Sequence, residues 1–250
     1  MEAFPFVIRG ECPSAMFNPR PNIRHMPIGG GETCVVVDDF LRDPFALTAH
    51  AVAQRGQFAQ AANSYYPGPE LALAPDISVQ LEQFFNQHVR GALGGRRTLA
   101  TATRLSIVAN RADQLKPMQR VCHRDATGLG PSEGAGAMVA YLFKDTRLGG
   151  TSFYMPRRPM DEIAAMMRLA RDMDTRSFTE MLGQEPAYPT SSNAWFEHVL
   201  HVPAAWNRAI FYNGTVFHSG HIAAPELLDA DPARGRLTMN AFIRMRKRVV

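Results

Sequence analysis

The sequence predicts a mainly β protein with flanking helices, a distorted jelly roll buttressed by N-terminal helices. Three observations predict it. Helical apolar periodicity is concentrated before residue 94. From Thr98 onward, short apolar runs separated by Gly, Pro and Asn take over. The residue types suited to binding a metal fall in that second, strand-rich half.

Taken in order, residues 1–32 are rich in Pro and Gly and end in Gly29-Gly30-Gly31. They read as a loosely structured N-terminal arm with one strand at Phe6–Arg9. A single domain, residues 33–250, follows. Thr33–Val37 has the β-branched run of a buried strand. Asp43 can cap a helix that begins at Pro44, where a missing N–H costs nothing. Phe45, Leu47, Ala49, Val52 and Ala53 give this helix its apolar face. Tyr65-Tyr66-Pro67-Gly68-Pro69 reads as a turn. A second helix covers Ile77 to Leu93, with Val79, Leu81, Phe84, Phe85 and Val89 inward, and Gly94-Gly95 stops it.

The strand-rich half opens with Thr103–Ala109 and Ala137–Phe143, the latter apolar except for Tyr141. Leu148-Gly149-Gly150 turns tightly into a strand through Tyr154, glycine admitting backbone approaches that a side chain blocks. A helical insertion near 159–182 carries Ile163, Met166, Met167, Leu169, Ala170 and Met173 on one side. It reads as a core or lid helix, or as the Met-rich wall of a substrate channel. Ser191–Pro203 fits a short strand or a short helix. Arg208–Tyr212 and Thr215–His218 are strands, and the Asn213-Gly214 between them signals a hairpin. A polar loop, Pro225–Gly235, leads to the last strand, Arg236–Met245.

Composition restricts the function. The formal charge is +4 and the only lysines are Lys116, Lys144 and Lys247. The basic Arg244–Arg248 tail is too short for a nucleic-acid surface, so no nucleic-acid partner is expected. There is no apolar run long enough to span a membrane and no leader pattern at the N-terminus, so a cytoplasmic protein without a membrane partner is expected. Cys12, Cys34 and Cys122 are odd in number and lack CxxC spacing, which agrees with a reducing compartment.

The chemistry lies in a divided constellation. His123 and Asp125 are two residues apart, so in extended backbone they share a side, and His218 stands in a distant apolar strand. Two imidazoles and one carboxylate can take one face of an octahedral metal and leave the opposite positions open, as in non-haem Fe(II) oxygenases. Each residue has a plain alternative: Asp125 capping a turn, His123 on the surface, His218 satisfied in the core, or His221 in its place. Arg236 and Thr238 share one face of the final strand and can clamp a carboxylate, with Tyr141 donating a further hydrogen bond. Arg234 takes the role of Arg236 if the register shifts by two. Arg104, Asn110, Arg157, Arg158 and the helical insertion are candidates for the pocket rim.

The segments HRD, LGGTSFY, FYNGTVFHSGH and GRLTMNAFIR, in this order, resemble the double-stranded β-helix core of the Fe(II)/2-oxoglutarate-dependent oxygenases, the prolyl-hydroxylase-like branch in particular. CVVVDDFLRDPFALTAHA resembles the strand and helix that precede that core. The resemblance spans about residues 33–246. It implies that His123, Asp125 and His218 bind Fe(II), and that Arg236, with Thr238 and Tyr141, binds the distal carboxylate of the cosubstrate 2-oxoglutarate. It further implies O2-dependent hydroxylation of an amino-acid, peptidyl or small natural-product substrate. The loop Ala223–Gly235 then reads as an insertion between two strands. Two rivals stand beside this reading: a cupin-like metalloprotein or oxygenase that uses no 2-oxoglutarate, and a non-catalytic β-roll binding module. Nothing in the sequence identifies the substrate or the oligomeric state.

Overall fold

Val35 and Val37 lie on one side of a strand and Cys34 and Val36 on the other, and all four are fully buried. A strand apolar on both faces must be covered on both. In the computed structural model, which describes residues 16–60, 64–126 and 128–248, this strand is β2 (Glu32–Asp38). It belongs to a seven-stranded antiparallel sheet. The other members are β1 (Asn22–Gly29), β3 (Glu70–Ala72), β4 (Gly95–Val108), β5 (Glu133–Tyr141), β8 (Arg208–Asn213) and β10 (Arg236–Lys247), in the order β1-β2-β8-β5-β10-β4-β3. A second sheet of three strands, ordered β7-β6-β9, is built from β6 (Gly150–Pro156), β7 (Phe196–Val202) and β9 (Phe217–His221).

Period-two alternation sorts the side chains between layers. Leu237, Met239, Ala241, Ile243 and Met245 of β10 join Val35, Val37, Met138 and Phe211 against two helices, α1 (Pro44–Ala53) and α2 (Pro75–His88). Phe84 and Phe85 of α2 are buried there, each worth ~1.5–3 kcal/mol of apolar burial. On the opposite face, Val36, Ala137, Tyr141 and Tyr212 pack against Phe153 and Val202 of the smaller sheet. Beyond that sheet, α3 (Met160–Asp172) and α4 (Thr175–Leu182) cover Tyr154, Phe196 and Phe217. The described residues are therefore mainly β, with four α-helices flanking two antiparallel sheets.

Several expectations hold. Asp43 caps α1 by accepting from the Ala46 N–H, with Pro44 in the first turn. The 159–182 insertion is helical but broken, because Asp174 caps a new helix by accepting from the Ser177 N–H. Gly149 turns into β6 at φ 84°, and a Cβ there would stand 1.8 Å from the His221 carbonyl oxygen.

Several expectations are corrected, among them the placing of Phe45 and Val79 on inward helix faces, since both are exposed. Residues 22–29, read as part of a loose arm, form β1 and pair with β2 through a Gly30-Gly31 turn. Asn213-Gly214 does not close a hairpin: β8 lies in the larger sheet and β9 in the smaller. The Gly214 N–H donates to Ala135 and its carbonyl accepts from Ala126, so this turn carries the chain across the sandwich. Ser191–Pro203 resolves as a loop followed by β7. The strand expected at Phe6–Arg9 lies outside the described residues.

Candidate metal centre

The sheet crossing at Gly214 positions the site. It delivers β9 against the segment that precedes β5, where His123 and His218 form an isolated antiparallel bridge. Each backbone N–H of the pair donates to the other's carbonyl at 2.9 Å. Gly214 passes so close to Asp125 that a Cβ would lie 3.3 Å from the Asp125 Cβ. Two chain segments far apart in sequence are thus held in register by main-chain bonds.

His123, Asp125 and His218 each offer a ligand atom, and the three atoms lie within 4.8 Å of one another. The Asp125 carboxylate lies 3.3 Å from His218 Nε2 and 3.6 Å from His123 Nε2. His218 is 5% exposed and its Nδ1 lies 3.0 Å from the Val216 carbonyl oxygen. Donation from Nδ1 to that carbonyl aims Nε2 at Asp125, the tautomer a metal needs. Burial pushes the Asp125 carboxyl up. The charge of His218 and hydrogen bonds from both imidazoles overcome that and hold it well below the usual carboxylate range. Burial lowers the His218 imidazole, but Asp125 raises it above its ordinary value overall. A proton on Nε2 and a metal ion are alternatives here, each supplying positive charge to the same carboxylate. Two neutral-capable imidazoles and one carboxylate within reach of a common point can hold a divalent transition metal facially.

The triad opens onto a cavity of about 370 Å³ walled by the inner faces of β4, β5 and β10. Arg236 lies in the same cavity and is 4% exposed. Its Nη2 donates to the Gly150 carbonyl at 2.8 Å, while Nε is buried without a hydrogen-bond partner. Among the described residues no carboxylate pairs with it. Thr238 lines the cavity beside it, its hydroxyl donating to the Ser106 carbonyl at 3.3 Å. Tyr141 is fully buried beneath, its ring 5.9 Å from the Arg236 guanidinium carbon. Its hydroxyl donates to Thr151 Oγ1 at 2.9 Å, and Thr151 is the residue that faces the cavity. Burial pushes the Tyr141 phenol up to about 12, against the opposing charge of Arg236.

Of the alternatives, Arg234 is exposed and pairs with Asp229 and Asp231, which folds the Ala223–Gly235 loop on itself. His221 lies away from the triad, its Nδ1 2.8 Å from Ser152 Oγ. Arg104 reaches the cavity but is neutralised by Glu70 at 2.8 Å. Asn110, Arg157 and Arg158 do not line it, whereas Arg171 of the helical insertion does.

Sequence reasoning missed Tyr66. Its hydroxyl oxygen lines the same cavity, buried and without a hydrogen-bond partner. Burial raises this phenol, and the nearby Arg236 charge and Thr238 hydroxyl oppose the rise. The one available signal was an aromatic pair inside a Pro/Gly turn, which says nothing about where the turn docks.

The profile of a family of unknown function, DUF6445, matches residues 19–243. No curated protein matches the chain at a significant level. Several solved structures resemble it. The non-heme alpha ketoglutarate dependent epimerase SnoN from nogalamycin biosynthesis is 14% identical, with 85% of this chain and 78% of that one covered and a TM-score of 0.44. The carbocyclase SnoK of the same biosynthesis is 14% identical over 86% and 79%, with a TM-score of 0.45. A Pseudomonas putida prolyl-4-hydroxylase is 14% identical over 86% and 93%, with a TM-score of 0.40.

Proposed function

The chain belongs to the family of unknown function DUF6445, and from the geometry of its site we propose that it is a non-haem Fe(II)- and 2-oxoglutarate-dependent oxygenase. One observation carries this reading. A buried arginine without a carboxylate partner faces the same cavity as a His–Asp–His triad. An uncompensated guanidinium in the interior costs several kcal/mol unless an anion joins it, so the cavity is built to take one. Its volume of about 370 Å³ suits a small dicarboxylate with room for a second molecule.

His123 Nε2, Asp125 and His218 Nε2 would hold the metal, with the Val216 carbonyl fixing the His218 tautomer. Arg236 would bind the distal carboxylate of 2-oxoglutarate. The Tyr66 hydroxyl stands ready to add a hydrogen bond to it, the Thr238 hydroxyl would do so by turning from the Ser106 carbonyl, and Tyr141 supports Thr151 from below. When bound, the iron with 2-oxoglutarate and O2 supplies oxidation of a substrate C–H bond, 2-oxoglutarate leaving as succinate and CO2. The apolar wall of Ala137, Val139 and Tyr212 limits water around the donors.

Hydroxylation of an amino-acid, peptidyl or small natural-product substrate is the finer reading, on a double-stranded β-helix scaffold that the two apposed antiparallel sheets support. This reading calls for neither a nucleic-acid nor a membrane partner. No helix among the described residues is long and apolar enough to cross a membrane. A cytoplasmic setting agrees with Cys34 and Cys122 being buried and unpaired.

Anaerobic titration with Fe(II) and then 2-oxoglutarate tests the reading through the weak visible band of the chelate. A band that is lost in Asp125→Ala and weakened in Arg236→Ala is the expected result. Iron binding without the band would point to an oxygenase that dispenses with 2-oxoglutarate. No iron binding would leave a binding module.

A further inference from the structure

Four arginines line the cavity: Arg104, Arg124, Arg171 and Arg236. Asp125, a member of the triad, is the one carboxylate residue that lines it. Glu70 neutralises Arg104 from behind the wall, and Arg236 is accounted for by the cosubstrate. Arg124 and Arg171 are left, and neither has a carboxylate partner among the described residues.

Their placement is specific. Arg124 lies between His123 and Asp125 in sequence, and its side chain lines the same cavity at the exposed edge. There its guanidinium carbon stands 5.0 Å from the centroid of the Phe217 ring. Phe217 belongs to the apolar cluster beneath α3, together with Ala170, which precedes Arg171. Val121 is part of that cluster and Met118 packs against it, and both also line the cavity. Two unpaired guanidinium groups therefore share a rim whose adjoining wall is apolar, next to the metal ligands.

We infer that the primary substrate is an organic anion, its carboxylate or phosphate held by Arg124 and Arg171 and its apolar body against Met118 and Val121. Guanidinium groups pair with both oxyanions through paired N–H donors, and Arg124, stacked on an aromatic ring, is already oriented for it. With the metal and 2-oxoglutarate in place, these two exposed arginines are the cavity-lining cations with no carboxylate beside them among the described residues. The direction in which the substrate enters rests on the oxygenase reading; the anion site itself does not.

Calorimetric titration of the full chain tests this with four probes: phenyl phosphate, 3-phenylpropionate, and their uncharged hydroxyl counterparts phenol and 3-phenylpropanol. Each is titrated into the protein alone and again with Fe(II) and 2-oxoglutarate under anaerobic conditions. The expected result is that an anion binds about tenfold or more tightly than its alcohol. The Arg124→Gln/Arg171→Gln double variant should lose that advantage while its affinity for 2-oxoglutarate stays within about twofold. A preference for phenyl phosphate assigns a phosphate ester, and a preference for 3-phenylpropionate assigns a carboxylic acid. Equal binding of anions and alcohols, no anion binding, or undiminished anion binding by the double variant would each overturn the inference. If the chelate band is absent but the anions bind through the two arginines, the cosubstrate reading fails and the anion site stands. With a normal band and no anion preference, the anion site fails and the cosubstrate reading stands.

Discussion

Replacing Arg236 by methionine should make the ligand-free protein more stable and leave it unable to use 2-oxoglutarate. The guanidinium is 4% exposed, makes one hydrogen bond to the Gly150 carbonyl and has a buried Nε without a partner. Burying an ion without a counter-charge costs several kcal/mol, and apolar replacements of buried ions are often stabilising by about 1–4 kcal/mol. Against that, the Gly150 carbonyl loses its donor, which costs about 1–3 kcal/mol. At midrange these leave a gain of about 0.5 kcal/mol, or about 1–2 °C in melting temperature for a chain of this size. The ligand reverses the order. At about 100 times its Kd, 2-oxoglutarate should stabilise the parent protein by about 2.7 kcal/mol, and Arg236→Met should gain nothing from it. Scanning calorimetry of both proteins, with Fe(II) under anaerobic conditions and with or without 2-oxoglutarate, gives the four melting temperatures. A variant that melts lower than the parent without ligand, yet still responds to 2-oxoglutarate, would refute the claim that Arg236 is a strained charge awaiting an anion.

Gly214→Val should weaken metal binding without altering any ligand, because even a Cβ at 214 would press on Asp125 at 3.3 Å and on Ala135 at 3.4 Å. A fall of about tenfold in metal affinity, read by competition with a chelator, is expected with secondary structure intact. The group formed by His198, His201, His221, Ser152 and Tyr154 on the smaller sheet should sensitise the protein to mild acid. Burial, reinforced by the neighbouring His201 and His198, lowers His221 to about 4, and burial also lowers His201. The unfolded chain then binds more protons than the folded one, so stability is complete above about pH 6.5 and falls between about 6.5 and 4. His221→Gln should flatten that part of the profile in denaturant melts taken at several pH values; an unchanged slope would remove His221 from the account.

The grouping of His123, Asp125 and His218 was legible because HxD spacing survives any register of extended chain and because His218 follows the apolar pair Val216-Phe217. Arg236 and Thr238 were legible for the same reason: period two fixes their shared face, and β10 keeps it along its whole length. Local signals failed where tertiary context decides. Asn-Gly between apolar runs reads alike whether the strands pair with each other or with partners in different sheets, and β5 on one side and β6 on the other claimed β8 and β9. The strand β1 was hidden because it has few apolar residues and takes its order from pairing with the strongly apolar β2. Tyr66 was invisible because a turn's destination is set by what it docks on, here the rim formed by Arg236 and Thr238. The break between α3 and α4 was missed because apolar periodicity runs on through Met173 while Asp174 restarts the hydrogen bonding.

The reciprocal bonds between His123 and His218 join main-chain atoms only. The frame under these three positions accordingly rests in part on bonds that no side chain makes, beneath the contacts their side chains add. Donor swaps at 123, 125 and 218 to cysteine or glutamate should leave the main-chain bridge between 123 and 218 in place. A small panel of such swaps would let metal preference be varied one donor at a time on a constant frame, a comparison that sites built on mobile loops do not permit.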